Sequence, residues 1–310
     1  MERELIRWLR DRLPQRENIL IGPGDDAAVL RASGDIVVTT DMLMDGVDFV
    51  LMDIDPRRAG RKAIAVNLSD LAAMAAKPIA VFVSLCLPRS GGESLAIALY
   101  GGMISLAEEF DCSIAGGDTN SWDGPLVINV TAIGETTAKG PLRRSGAKAG
   151  DAIIVTGSFG GSIHGRHLDV MPRVREALAL HEAYEVHAAT DVSDGLSIDL
   201  WNICTESQVG AQLFERDLPI HPDARQRSPG EFALSPLDRA LGDGEDFELI
   251  LAVPEESAAR MIRDQPLGNV PLARIGTFLD VEGMTLVFKR KAHPQSIPLV
   301  PRGFEHRFDA

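Results

Sequence analysis

The chain has 310 residues, 45% apolar and 25% charged, with a formal net charge of −14 at pH 7. That length exceeds what one hydrophobic core usually organises, so two domains are expected, and so acidic a chain excludes nucleic acid and anionic membranes as partners. Cys86, Cys112 and Cys204 lie far apart without C-x-x-C spacing, which excludes a disulfide framework and a zinc site and fits a reduced cytoplasm.

Met1 to Asp11 alternates charged and apolar residues at helical spacing, with no uncharged core of signal-peptide type, and predicts a surface helix. No apolar run reaches the ~18 residues of a membrane span, so neither secretion nor insertion is expected. Gly24-Asp25-Asp26 is the first of four places where glycine adjoins carboxylates. Asp35 to Asp41 reads as a β-branched strand that delivers Asp41 at its end. Ala59 to Ala76 predicts a helix stopped by Pro78, whose polar residues after Lys62 are confined to Asn67, Ser69 and Asp70. A helix apolar nearly all round is buried, and a buried carboxylate needs a partner or a metal, which makes Asp70 a candidate ligand. The alternative is a narrow solvated stripe through Asn67 and Asp70. Strands are predicted at 81–87 and 126–134 and a helix at 94–110, while Ser113-Ile114-Ala115 leads into the second acidic turn, Gly116-Gly117-Asp118-Thr119. The stretch from Lys139 to Asp151 is the most loop-like of the middle of the chain and separates domains 1–140 and 141–310.

Beyond it, Ala152 to Thr156 is a strand running into the turn Gly157 to Gly161. His187 to Val192 leads into the third acidic turn, Asp191-Val192-Ser193-Asp194-Gly195, which opens a helix from Leu196 to Glu206. Free N–H groups and the dipole at such a helix start favour anions. The fourth, Gly242-Asp243-Gly244-Glu245-Asp246, precedes the apolar strand Phe247 to Val253, and residues 223–242 before it are expected to be mobile without ligand. A further helix begins at Pro254 and a strand at Met284. His164, His167, His181 and His187 are expected at the surface, and Trp8, Trp122 and Trp201 in packing.

Any single Asp-Gly pair is most simply a solvated turn. Four of them, with apolar segments leading in, point to loops that gather divalent metal around phosphates, because Mg2+ takes one or two carboxylates plus phosphate oxygens and glycine lets the backbone approach a ligand. Phosphoryl transfer fits, since positioning and neutralisation of phosphate oxygens supply most of its catalysis. The G-x-x-x-x-G-K-[ST] loop, the kinase catalytic loop and the G-x-S-x-G elbow are absent, so the phosphate grip is expected to be metal-rich, with Arg143 or Arg144 as guanidinium clamp.

Seven segments in order carry a family resemblance: Gly22-x-Gly24-Asp25-Asp26-Ala27-Ala28, Thr39-Thr40-Asp41-Met42-Leu43, the block Ala65-Val66-Asn67-Leu68-Ser69-Asp70-Leu71-Ala72-Ala73-Met74, Gly116-Gly117-Asp118-Thr119, Arg144-Ser145-Gly146-Ala147, Asp191-Val192-Ser193-Asp194-Gly195-Leu196 and Gly244-Glu245-Asp246-Phe247-Glu248-Leu249. Over residues 18–305 the chain resembles the thiamine-monophosphate kinases; the short Gly-Asp elements also occur in the wider superfamily of aminoimidazole ribonucleotide synthetase. The resemblance implies an α/β fold of α+β type. Its amino-terminal ATP- and Mg2+-binding domain would form a β-barrel with its counterpart in a homodimer, and a second α/β domain would complete the active site. It also implies direct in-line transfer of the γ-phosphoryl group of ATP onto the phosphate of thiamine monophosphate, giving thiamine diphosphate. By motif, Asp26, Asp41, Asp70, Asp118, Asp191 and Asp194 would be Mg2+ ligands. Thr39, Thr40, Gly117, Asp118, Arg144 and Ser193 would contact ATP or its metals; Asp191, Asp194 and Arg144 would form the catalytic set; Glu245 would face the substrate.

The chain departs from the family where Gly46-Val47-Asp48-Phe49 replaces Gly-Val-His-Phe, which puts Asp48 in the substrate site and predicts weaker thiamine-monophosphate binding, because an ionised Asp accepts where His donates. Phe247 replaces a customary tyrosine, the fourth turn is one acidic residue richer, and the chain is shorter between Gly161 and His167. Phe304 matches an aromatic that stacks on the thiamine ring. The alternatives are another ATP-dependent enzyme of the superfamily with a different acceptor, and a non-catalytic nucleotide-binding paralogue.

Overall fold

A computed structural model of the chain describes residues 8–9, 11–13, 16–21, 28–226, 234–289 and 294–305. Asp26 with the rest of the first acidic turn, most of the expected amino-terminal helix and residues 227–233 lie outside them. The chain divides into two compact units, Met1–Pro141 with Leu168–Val174, and Leu142–His167 with Arg175–Ala310. The short return of Leu168–Val174 to the first unit has a physical cause: Arg58 Nη2 pairs with Asp169 at 2.7 Å and Arg61 Nη2 donates to the Val170 carbonyl at 3.0 Å.

In the first unit, β1 (Ile19–Ile21) pairs antiparallel with β2 (Val29–Leu30). There follow β3 (Ile36–Met44), α1 (Pro56–Ala73), β4 (Ala76–Pro88), α2 (Gly92–Glu109), β5 (Ser113–Trp122) and β6 (Val127–Thr136). They build a sheet of order β3-β6-β4-β5, in which only β4 and β5 run parallel. Helix α1 lies on β3, β4 and β6. It begins where Asp55 accepts the Arg57 N–H and Pro56 occupies the first turn, the usual chemistry of a helix start. It ends at Ala73, before the expected stop, because Ala75 takes φ 49° to turn the chain into β4, and Pro78 is a strand residue at a register shift. The helices α1 and α2 meet backbone to backbone: a Cβ added at Gly60 would lie 2.1 Å from the Leu99 oxygen, and one at Gly102 1.8 Å from the Arg57 oxygen.

Asp41 does not end its strand, since Met42, Leu43 and Met44 continue the alternation and Asp41 sits opposite Val130. Gly116 to Thr119 is not a turn but part of β5, where Gly117 passes so close to β4 that a Cβ would lie 1.8 Å from the Val83 oxygen.

The second unit contains β7 (Ala152–Thr156), α3 (Val174–Ala183), β8 (Ala188–Asp191), α4 (Leu196–Ser207), β9 (Gly210–Phe214), α5 (Pro236–Gly242), β10 (Leu249–Val253), α6 (Glu255–Asp264), β11 (Leu272–Leu279), β12 (Met284–Lys289) and β13 (Pro294–Pro298). Its sheet has the order β13-β12-β9-β11-β7-β10-β8, antiparallel except for β9 with β12. Phe159, Leu196, Leu200, Ile203, Leu241 and Phe278 fill its core. The mixed helix and strand content of both units, with mostly antiparallel sheets, is an α+β arrangement. Among the described residues neither sheet closes on itself.

The segment 223–242 includes the helix α5, which begins at the capping box Ser235-Pro236-Leu237-Asp238, where Ser235 Oγ accepts the Asp238 N–H at 3.1 Å. The histidines are less exposed than expected. His181 is buried, and His187 lies between Asp151 at 2.8 Å and Glu185 at 2.9 Å.

Candidate functional site

In the first unit, β3 places Thr39 and Asp41 on one face and Thr40 on the other, by the two-residue period of a strand. Thr39 and Asp41 face α1: the Thr39 hydroxyl donates to the Asp70 carboxylate. Thr40 points the opposite way, donating to the Val130 carbonyl at 3.1 Å and accepting from Asn129 Nδ2 at 3.1 Å. Burial pushes the Asp41 carboxyl up to about 7, reinforced by the charges of Asp70 and Asp48. Three carboxylates thus share one field. Asp48 Oδ2 accepts the Met44 N–H at 2.6 Å, and its carbonyl accepts from the buried Lys62 Nζ at 2.9 Å. Asp118 is exposed on β5 and accepts the Thr119 N–H at 2.8 Å.

In the second unit, Asp191 is buried at the end of β8 and Gly195 caps α4. Between them the backbone is held from three sides. Glu245 N–H donates to the Ser193 carbonyl at 2.6 Å, Phe304 N–H donates to the Asp194 carbonyl at 2.9 Å, and Phe247 N–H donates to the Val192 carbonyl at 2.8 Å. Asp191, Ser193, Asp194, Glu245 and Phe304 are therefore gathered in one place. Phe304 is 52% exposed. Arg144 Nε donates to Thr190 Oγ1 at 3.3 Å, next to Asp191.

Sequence reading missed Asp199. Its Oδ2 accepts the N–H groups of Asp194 at 3.1 Å and Gly195 at 3.0 Å, so a buried carboxylate in the first turn of α4 fixes the loop that carries Asp194. Burial pushes it up to about 7; the Gly195 N–H and Arg144 oppose the shift, and the Asp194 charge adds to it. The signal was present as Asp199 four residues after Gly195, the spacing at which a first-turn carboxylate reaches back to free N–H groups.

Among the described residues no group of three or more carboxylates, histidines or cysteines could hold a metal ion by itself. The donor chemistry nevertheless suits Mg2+, which takes one or two carboxylates and completes its shell with phosphate and water oxygens. Asp41, crowded by Asp70 and Asp48, is a group that a cation would stabilise in its charged form.

Residues 24–136 match the model of the AIR synthase related protein, N-terminal domain, and residues 148–289 that of its C-terminal domain. The chain is 41% identical to the thiamine-monophosphate kinase of Rhodopirellula baltica over 315 residues, which cover 99% of this chain and 97% of the relative. Among solved structures it is similar to the thiamine-monophosphate kinase from Stenotrophomonas maltophilia K279a, with a TM-score of 0.78 and 34% identity over 91% of this chain and 94% of that one. It is also similar to AaThiL complexed with AMPPCP and TMP, with a TM-score of 0.72 and 27% identity over 92% of each chain.

Proposed function

The chain belongs to the thiamine-monophosphate kinase family, within the AIR synthase related proteins, and from that premise we propose that it transfers the γ-phosphoryl group of ATP onto the phosphate of thiamine monophosphate. The observation that carries the reading furthest is the Asp194 turn, where Glu245 and Phe304 hold the backbone on either side of a carboxylate at a helix start. In this reading Asp41, Asp70, Asp118, Asp191 and Asp194 supply carboxylate oxygens to Mg2+, and Arg144 and Ser193 serve the phosphates. Bound Mg2+ would neutralise phosphate oxygens and so favour attack between two anions. Thr39 positions Asp70, Asp199 positions the Asp194 loop, and Glu245 with Phe304 receives the thiamine end of the acceptor. Asp48 acts mainly through the field at Asp41.

We further propose a homodimer. The outward positions of the edge strand β3, Ile36, Val38 and Met42, are 49%, 59% and 58% exposed, an apolar row that a second copy would cover in forming a shared barrel. No helix of the described residues is long and apolar enough to cross a membrane, and the three cysteines are free thiols, which supports a cytoplasmic location.

The test is ATP consumption with Mg2+ against thiamine monophosphate, thiamine and water. Turnover with thiamine monophosphate alone is expected. Turnover with another phosphate monoester would mean a different acceptor, and tight ATP binding without turnover a non-catalytic role.

A further inference from the structure

The turn from Gly157 to His167 has no part in the expected site, yet it grips the loop that carries Glu245. Arg166 Nη2 donates to Asp246 Oδ1 at 2.8 Å and to the Gly160 carbonyl at 3.1 Å. Asp246 Oδ2 accepts the Gly160 N–H at 3.0 Å, Asp243 Oδ2 accepts the Gly161 N–H at 2.8 Å, and Ser162 Oγ donates to the Gly244 carbonyl at 2.6 Å. Asp243, Gly244 and Asp246 are thus tied to the turn, while the Glu245 N–H goes to the Ser193 carbonyl.

The grip has something to hold. Glu245 and Phe247 take φ +52° and +50°, a left-handed backbone that costs energy in residues other than glycine and persists only where the surroundings enforce it. The Asp246 side chain is 1% exposed and both its oxygens are engaged, by Arg166 and by the Gly160 N–H, so the loop can leave this geometry only by leaving buried polar groups without partners. A side chain at Gly160 would crowd α5, since a Cβ there would lie 2.7 Å from the Ala240 nitrogen.

We propose that Arg166 is a positioning residue for the phosphoryl acceptor: through Asp246 it locks the Gly242–Glu248 loop in the strained form that sets Glu245. The consequence for catalysis rests on the proposed function, in which Glu245 faces the substrate.

The test compares Arg166→Met, Arg166→Lys and Ser162→Ala with the unaltered protein, by amide hydrogen exchange and steady-state kinetics. In Arg166→Met the Glu245 and Phe247 amides should lose protection while those of β10 keep it. The KM for thiamine monophosphate should rise roughly tenfold with the KM for ATP within about twofold, and Arg166→Lys should recover most of the loss. Ser162→Ala, a smaller cut at the same loop, should move the same constants less, and it decides the matter if Arg166→Met does not fold. Unchanged exchange in folded variants, or equal rises in both KM values without rescue by lysine, would overturn the proposal. If the unaltered protein does not turn over thiamine monophosphate, the proposed function fails, and the exchange data still decide whether Arg166 holds the loop.

Discussion

The charge of Asp41 is set by its burial and then by its neighbours, which makes it the residue through which metal binding should be most visible. Burial, Asp70 and Asp48 together push it up to about 7. In Asp48→Asn one of the two charges is gone while an amide oxygen can still accept the Met44 N–H, so the Asp41 titration, followed by carboxyl 13C NMR in metal-free protein, should move to lower pH. An unmoved titration would separate Asp48 from the cluster. Asp191→Asn and Asp194→Asn should each lower kcat by roughly 100-fold or more with unchanged circular dichroism, as expected when a group that stabilises transition-state charge is removed. Near-normal turnover at saturating Mg2+ would remove them from the catalytic set. The burial of Asn67 and Ser69 was legible in the sequence because apolar residues occupy nearly the whole circumference of their helix, whereas Asp70, expected to be buried with them, is only partly so. Asp199 could be read only as a carboxylate four residues after Gly195, because a first-turn carboxylate looks the same whether it is solvated or buried against its own loop.

Among the elements, the loop before α4 and the contact of α1 with α2 are the most sensitive to single atoms. Asp199→Ala leaves two N–H groups without their acceptor and should cost about 2 kcal/mol or more in denaturant unfolding, with loss of activity, while Asp199→Asn should retain most of both. Equal behaviour of the two variants would contradict the capping role. Gly102→Ala, whose Cβ would overlap the Arg57 carbonyl, should destabilise by about 3 kcal/mol through forced separation of the helices. Strands and helices were legible from periodicity, but their ends were not. The Gly116 to Thr119 segment reads as turn chemistry and is a strand, because Gly117 is required by the closeness of Val83 rather than by a change of direction. The capping box at Ser235 was readable and marks the start of α5.

For the whole molecule, Asp41, Asp199 and Asp246 all sit at about 7, well above the ~3.9 of an unfolded chain. Between about pH 4 and 7 they are protonated when folded and ionised when unfolded, so the unfolded state binds fewer protons and stability falls as pH rises. His221, held below its ordinary value by burial and Arg166, acts in the opposite sense, one group against three. Metal-free protein should therefore melt at a lower temperature at pH 8 than at pH 5, and Mg2+, which competes with the proton on Asp41, should recover more at pH 8. A rising melting temperature over that range would contradict these assignments. Sedimentation should find a dimer at micromolar concentration, and a fully active monomer would leave the exposed face of β3 unexplained. The return of Leu168–Val174 to the first unit was not legible, because it depends on Arg58 meeting Asp169 across distant sequence.

The most direct measurement is 31P NMR of ATP, thiamine monophosphate and Mg2+ with the enzyme. Direct transfer predicts that the monophosphate signal is replaced by the two coupled signals of thiamine diphosphate, one for each ADP formed, with no inorganic phosphate. ADP and inorganic phosphate accumulating while thiamine monophosphate persists would contradict it.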